Sequence, residues 1–112
     1  KQYGDLRKAQ SFVNGTEFKI LLSHDPSHWK AEIAGKTDID LTLSGHTHAM
    51  QIGIKLNGFS WSPSKYFYKQ WNGLYKHNDQ YLYVNRGLGF IGFPGRVGMR
   101  PEITSIEIYN PN

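Results

Sequence analysis

Three histidines, each placed just after an apolar run, are the residues whose type and spacing could do chemistry. His46 and His48 follow the run 39–44, and His24 follows the run 18–23. Side chains at positions i and i+2 of an extended strand share a face, so His46 and His48 can point into one cleft at a strand end. Imidazole is the commonest metal ligand near neutral pH. The pattern therefore predicts a metal site where two neighbouring strands end.

The elements that must position these histidines are predicted to be two strands with a helix between them. The runs 18–23 and 39–44 are almost continuously apolar, which is typical of strands covered on both faces. Pro26 suits the first turn of a helix over 27–34, and Gly35 suits its end. We therefore expect two neighbouring strands of one sheet, with their histidines meeting at its edge.

The remainder of the chain is predicted to be richer in strands than in helices, in a mixed α/β fold. Alternating apolar residues and turn signals such as Asn57-Gly58 carry this prediction. We expect a short helix over 5–10 capped by Asp5, strands over 49–56, 80–85 and 102–109, and irregular segments over 59–80 and 86–98.

Composition and charge exclude several classes of function. With 38% hydrophobic and 20% charged residues among 112, the chain is typical of a folded segment. The net charge of +4 comes from scattered Lys and Arg, whereas a nucleic-acid interface needs a patch or stripe, so we expect no nucleic-acid partner. A phosphate-bearing substrate or an anionic membrane surface is compatible with this charge. The absence of cysteine excludes disulfides and a thiolate metal site.

Four segments of the sequence resemble one family. Residues 20–26 and 43–48, which read I-L-L-S-H-D-P and L-S-G-H-T-H, resemble the C-terminal half of calcineurin-like metallophosphoesterases. Residues 83–89 and 100–103, Y-V-N-R-G-L-G and R-P-E-I, resemble a bacterial branch whose members are often membrane-attached. The match extends from about residue 5 to residue 109, and the segments together are much more specific than the G-H-x-H motif alone.

The resemblance implies a two-metal phosphoesterase. His24 and His46 would bind one divalent ion and His48 the other, and the ions would be Mn, Fe or Zn because imidazole suits these better than Mg or Ca. Such a pair of ions hydrolyses a phosphomonoester or phosphodiester with metal-bound hydroxide. The resemblance also implies that the parent fold is a two-sheet sandwich flanked by helices.

The family pattern further implies that residues 1–112 are the C-terminal part of one domain. The D-x-H and G-N-H-[DE] motifs of its N-terminal half do not occur here. We therefore expect the chain alone to hold only part of the metal ligands, to be inactive without that half, and to self-associate through exposed apolar faces and strand edges. Membrane association, if present, would come from segments outside this chain.

Three polar residues near these motifs have open interpretations. Arg86 follows a predicted strand in a glycine-rich turn, where its guanidinium could clamp a substrate phosphate or form a salt bridge. Asp25 could orient a ligand imidazole, but capping the helix at Pro26 is the preferred interpretation. His28 is interpreted as a surface or packing residue, because a helix begins between it and His24.

The aromatic stretch 59–75 is the least predictable part of the sequence. Its seven aromatic residues have neither strand nor helix periodicity. They could form core beneath a long loop, an apolar wall for a substrate, or a contact with a membrane surface, where Trp, Tyr and Lys are favoured. The stretch also supports an alternative function, a non-catalytic aromatic-rich β module that binds a carbohydrate or a lipid headgroup.

Overall fold

The sheet that carries the histidines has four strands, and a separate hairpin has two. The computed structural model describes residues 4–15, 17–90 and 92–109. Within these residues the fold is mixed α/β and rich in strands, which confirms the predicted fold class. The strands are β1 (Ile20–Leu22), β2 (Leu41–Ser44), β3 (Ile54–Leu56), β4 (Phe59–Trp61), β5 (Gly73–His77) and β6 (Gln80–Val84).

The order of strands in the larger sheet is β1-β2-β6-β5. β2 pairs in parallel with β1 on one side and with β6 on the other, with Leu41 opposite both Ile20 and Tyr81. β5 and β6 form an antiparallel hairpin. Because β1, β2 and β6 run in the same direction, the residues that follow their last positions meet at a single edge of the sheet.

Short helical segments lie where the sequence predicts them. The helix α1 (Leu6–Gln10) begins at Asp5, whose carboxylate accepts from Lys8 N at 3.0 Å. The second helical segment contains a π-helical turn over Trp29–Ile33, in which Ala34 N donates to Trp29 O at 2.8 Å. It ends at Ile33, and Gly35, two residues later, has a φ of +70°, a left-handed conformation common just after a helix.

The core lies between this π-helical turn and one face of the sheet. Leu82 and Val84 of β6 are fully buried, and they pack with Trp29, Ile33 and Ile39. Leu21 and Tyr75 are partly buried against the same cluster. Burial of these large apolar side chains is the main favourable term that holds the helical turn on the sheet.

The prediction that the run 18–23 is buried on both faces concerns the whole protein, and in this chain one face of the run is exposed, as expected without the N-terminal half. Ile20 is 50% exposed and Leu22 79% exposed, and only Leu21 between them faces the core. The reason is that β1 is an edge strand of the sheet and nothing in the described chain covers its second face. The corresponding prediction for 39–44 is confirmed in β2, where three of the four residues are buried.

Three predicted segments differ from the structure. The strand over 49–56 forms only at Ile54–Leu56, because His48–Gln51 adopt a left-handed turn with φ between +47° and +60°. Residues 102–109 form no strand, and Glu102 and Thr104 instead bond to β6 and the residue after it through their side chains. The segment 59–80, predicted to be irregular, contains β4, β5 and a 3₁₀ turn over Pro63–Tyr66.

Most of the aromatic stretch 59–75 is not core. Phe59, Tyr66 and Phe67 are each more than 60% exposed, whereas Tyr75 packs against the core cluster. The core interpretation is therefore correct for Tyr75 and wrong for these three residues. Across the ranges that the structure describes, no helix has the length and apolar character required to cross a bilayer.

Candidate metal site

His24 and His46 lie together at the edge where the parallel strands end. Gly45 N donates to His24 O at 3.3 Å, and Ser23 N donates to Leu43 O at 3.0 Å, so the two chain segments stay side by side beyond β1 and β2. The centroids of the two imidazole rings are 4.5 Å apart, and the rings are tilted by 49°. The structure thus brings together the two histidines that the strand-end argument pairs, and their role as metal ligands stays a prediction.

Tyr68 is a member of this site that the sequence does not reveal. Its hydroxyl lies 3.0 Å from His46 Nε2, and its ring meets the imidazole edge-on at 5.7 Å. Tyr68 comes from the aromatic stretch 59–75, which folds back over the strand edge. The only sequence signal is membership of that stretch, because nothing local distinguishes Tyr68 from Tyr66 beside it.

His48 does not join the pair. Residues i and i+2 share a face only where the backbone is extended, but His46 and His48 are both left-handed, with φ of +65° and +47°, and Thr47 between them is helical. Thr47 holds this turn, since its hydroxyl donates to Trp71 O at 2.8 Å and accepts from Ala49 N at 3.3 Å. Among the described residues, no group of three or more His, Asp or Glu side chains is close enough to hold a metal ion.

The imidazole of His48 has one nitrogen atom that is buried without a partner. Nδ1 is inaccessible to solvent and has no hydrogen bond in the described part of the chain. A Cβ atom at Gly89 would lie 3.7 Å from His48 Cε1, so the ring sits against the glycine-rich segment after β6. Buried polar atoms of this kind are uncommon in folded proteins. An orphaned imidazole nitrogen fits a residue whose partner is a ligand.

Asp25 and His28 have structural partners. Asp25 Oδ1 accepts from Ser27 N at 2.8 Å, which is the capping arrangement that the sequence favours. Burial raises the pKa of Asp25, but hydrogen bonds from Ser27 and the nearby His46 and His24 outweigh it and lower the pKa below its ordinary value. His28 Nδ1 lies 3.0 Å from Ser23 Oγ, and Nε2 lies 3.5 Å from Glu32 Oε2, so His28 serves packing as expected.

Arg86 is held in a nearly buried salt bridge. Its Nε donates to Glu102 Oε2 at 2.6 Å, and the two side chains are only 14% and 12% exposed. Burial raises the pKa of Glu102, but hydrogen bonds from Tyr83, Arg86 and Thr104 lower it by more than burial raises it. The pKa of Glu102 therefore lies below its ordinary value. Of the two interpretations of Arg86, the salt bridge is the one that the structure contains, and a phosphate contact stays a prediction.

The residues at this edge fit part of a metal site. His24 and His46 offer two imidazole nitrogens, a donor type that suits Mn, Fe and Zn. A tetrahedral zinc site takes four ligands. Two imidazoles could supply part of such a ligand set, and no further His, Asp or Glu side chain of the described residues joins the pair.

Sequence comparisons identify relatives over most of the chain. "Transmembrane protein with metallophosphoesterase domain" from Bos taurus is 38% identical over 103 residues, which are 91% of this chain and 22% of that protein. "Uncharacterized metallophosphoesterase YkuE" from Bacillus subtilis (strain 168) is 38% identical over 85% of this chain and 32% of its own length. "Phosphodiesterase YaeI" from Escherichia coli (strain K12) is 30% identical over 80% of this chain and 32% of its own length.

No family model and no solved structure matches the chain. The chain spans about a fifth to a third of the length of these curated relatives. Their names all describe phosphoester chemistry, and they come from both bacteria and animals. The resemblance carried by the histidine motifs is thereby confirmed, and the chain belongs to the calcineurin-like metallophosphoesterases.

Proposed function

We propose that this chain forms part of a metal-dependent phosphoesterase that hydrolyses a phosphomonoester or a phosphodiester. The observation that carries the proposal is the contact between His24 and His46, 4.5 Å apart at the joined ends of two parallel strands. In open α/β sheets, ligands bind outside the carboxyl ends of the strands. The relatives named as phosphoesterases indicate which ligand to expect there.

The proposed ligands are the three histidines of the motifs. His24 and His46 would hold one divalent ion, and His48, with its buried unpartnered Nδ1, would hold a second, with Mn, Fe or Zn as the ions. When bound, such ions activate water and polarise a phosphoryl oxygen. The hydroxyl of Tyr68 contacts His46 Nε2, and the negative charge of Asp25 beside the pair favours cations. Arg86 would meet a phosphate only through its Nη atoms, because Nε donates to Glu102.

The ligands that the pair lacks are assigned to a part of the protein outside this chain. On this proposal, residues 1–112 are the C-terminal part of one domain, and the N-terminal half supplies the other ligands. The β1 segment exposes three apolar residues, Phe18, Ile20 and Leu22. On this proposal the N-terminal half covers them in the whole protein, and the isolated chain self-associates through them. Membrane attachment would come from segments outside the chain, as the name of the Bos taurus relative describes for that protein.

A non-catalytic β module is the less favoured alternative. The exposed Phe59, Tyr66 and Phe67 would suit a carbohydrate or lipid headgroup. However, the relatives that align with most of the chain are named for phosphoesterases. The exposed aromatic residues are better assigned to substrate or membrane contact within such an enzyme.

The test is hydrolysis by the intact protein of p-nitrophenyl phosphate and bis(p-nitrophenyl) phosphate. His46→Ala and His24→Ala should each lower kcat/KM by more than about a hundredfold, because even the residues that support metal ligands contribute about 10–100-fold. Their bound metal, measured by mass spectrometry, should fall in parallel. The matched control is His77→Ala, which removes an exposed histidine of β5 and should leave activity unchanged. Full activity and full metal content in both variants, with native circular dichroism, would refute the assignment.

A further inference from the structure

We propose that the chain carries a second anion site, whose lining includes none of the three histidines, and that this site binds a phosphate-type dianion. The site is the basic cleft, an open cavity of about 720 Å³. Four of its lining residues are cationic and none is acidic. The lining includes Lys55, Arg86, Arg96, Gly98, Met99 and Arg100.

A close backbone crossing builds the cleft. Val97 N donates to Gln51 O at 2.7 Å, and Gly53 N donates to Val97 O at 2.8 Å. At the crossing, a Cβ atom on Gly98 would lie 1.7 Å from Gly53 O, so only glycine fits. This crossing joins the start of the β3 hairpin to the segment 96–100. As a result, Lys55 on β3 shares one cleft with Arg96 and Arg100.

Two of the four cations are fixed in place. Arg86 is held by Glu102, and its Nη1 contacts the buried Met99 Sδ at 3.8 Å. Arg96 Nη2 donates to the carbonyl oxygens of Arg86, Gly87 and Gly89, at 3.0, 3.2 and 2.6 Å. These three acceptors are neutral, so they orient the guanidinium of Arg96 without cancelling its charge. Lys55 and Arg100 are exposed at the rim.

The cleft therefore has an excess of positive charge. In the part of the chain that the structure describes, no carboxylate lies within ion-pair distance of Lys55, Arg96 or Arg100. Pre-oriented guanidinium groups with an adjacent ammonium group match the geometry and charge of a phosphate, which accepts several charge-assisted hydrogen bonds. The phosphate could be a free anion or the headgroup of an anionic lipid, and both present the same chemistry.

The cleft is tested on the intact protein with chelator present, so that metals at the histidines do not contribute. Titration calorimetry with inorganic phosphate tests the free anion, and flotation with phosphatidylcholine vesicles, with and without phosphatidic acid, tests the headgroup. Lys55→Ala and Arg100→Ala should each weaken binding about tenfold, because each removes a charge-assisted contact. Lys30→Ala, which removes an exposed lysine elsewhere, is the charge-matched control and should change affinity less than about twofold.

The site is supported if the wild-type protein binds phosphate or the vesicles and both cleft variants weaken that binding. Binding in calorimetry identifies a free phosphate, and binding in flotation identifies a lipid headgroup. The proposal is overturned if the wild-type protein binds neither probe, or if Lys30→Ala weakens binding as much as the cleft variants do. Because the chelator removes the metals on which hydrolysis would depend, the outcome of the binding assay is independent of the hydrolysis test. A protein with an empty cleft can still be a phosphoesterase, and an inactive protein can still bind phosphate here.

Discussion

The residues that follow β1 and β2 and those that follow β6 stand at the same sheet edge but differ in how many partners they have. After the first two strands, His24 is exposed, and His46 contacts His24 and Tyr68. At the third, Arg86 is nearly buried and pairs with Glu102, which also accepts from Tyr83 and Thr104. Polar side chains that follow parallel strands lie together at one edge of the sheet. Those with few partners within the protein, such as His24, are the ones free to bind a ligand, whereas Arg86 is already paired.

The largest effect is expected from breaking the backbone crossing beneath the arginine residues. Gly98→Ala should lower the free energy of unfolding by about 3 kcal/mol or more, since it adds a clash with Gly53 O to the strain of a left-handed alanine. Gly58→Ala is the matched control, because Gly58 has φ of +84° but open space around it, and it should cost only about 1–2 kcal/mol. Urea denaturation measures both, and equal costs would show that the crossing is not rigid.

The contrast itself is tested by truncating one residue from each region. Arg86→Ala should lower the free energy of unfolding by about 2–3 kcal/mol, because it leaves the carboxylate of Glu102 nearly buried without its charged partner. His24→Ala should change it by less than about 0.5 kcal/mol, because the side chain is exposed. Urea denaturation in chelator separates the two. Equal losses would mean that the histidine is as structural as the arginine.

Tyr68→Phe sharpens the comparison within the histidine region. If Nε2 of His46 is a ligating atom, the hydroxyl of Tyr68 competes with the metal for it. Loss of this hydrogen bond, worth about 1 kcal/mol, should then raise metal affinity about fivefold. Titration with Mn²⁺ or Zn²⁺ measures the change, with Tyr66→Phe as the exposed control. A fall in affinity would indicate that Tyr68 supports the metal instead of competing with it.

The smallest effect concerns the dependence of stability on pH. Hydrogen bonds from Tyr83, Arg86 and Thr104 outweigh burial and hold the pKa of Glu102 below its ordinary value of 4.5. The resulting stabilisation is present above that value and is lost as pH falls through the folded-state pKa. Urea midpoints measured from about pH 7 downward should therefore fall less steeply in Glu102→Gln than in the wild type. Parallel curves would show that Glu102 does not contribute to acid unfolding.

The sequence predicts the histidine pair well because its signals are local. Apolar runs that end in His24 and His46 indicate strands, and parallel strands bring their ends together. The edge position of β1 could not be predicted, since it depends on the order of strands in the sheet. The position of His48 was missed because left-handed backbone at residues other than glycine has no clear sequence signal.

The contact of Tyr68 with His46, and the identity of Glu102 as the partner of Arg86, could not be predicted for a different reason. Tyr68 is 22 residues from His46, and Glu102 is 16 residues from Arg86, so neither contact leaves a periodic pattern in the sequence. The alternating isoleucines after residue 102 predicted a strand, but alternation shows only an extended backbone. The polar side chains of Glu102 and Thr104 bond to Tyr83 and Asn85 instead of forming a backbone ladder.

The long connection between β2 and β5, residues 45–72, allows this part of the molecule to change in length without disturbing the sheet. β2 pairs directly with β6, so the connection leaves and returns to the same edge while the strands keep their register. The entropy of closing a flexible loop rises only slowly, and doubling its length costs about 0.6 kcal/mol. The chain can therefore lengthen or shorten between His48 and Gly73 at a small entropic cost, whereas an insertion within a strand would shift the register that places the histidines.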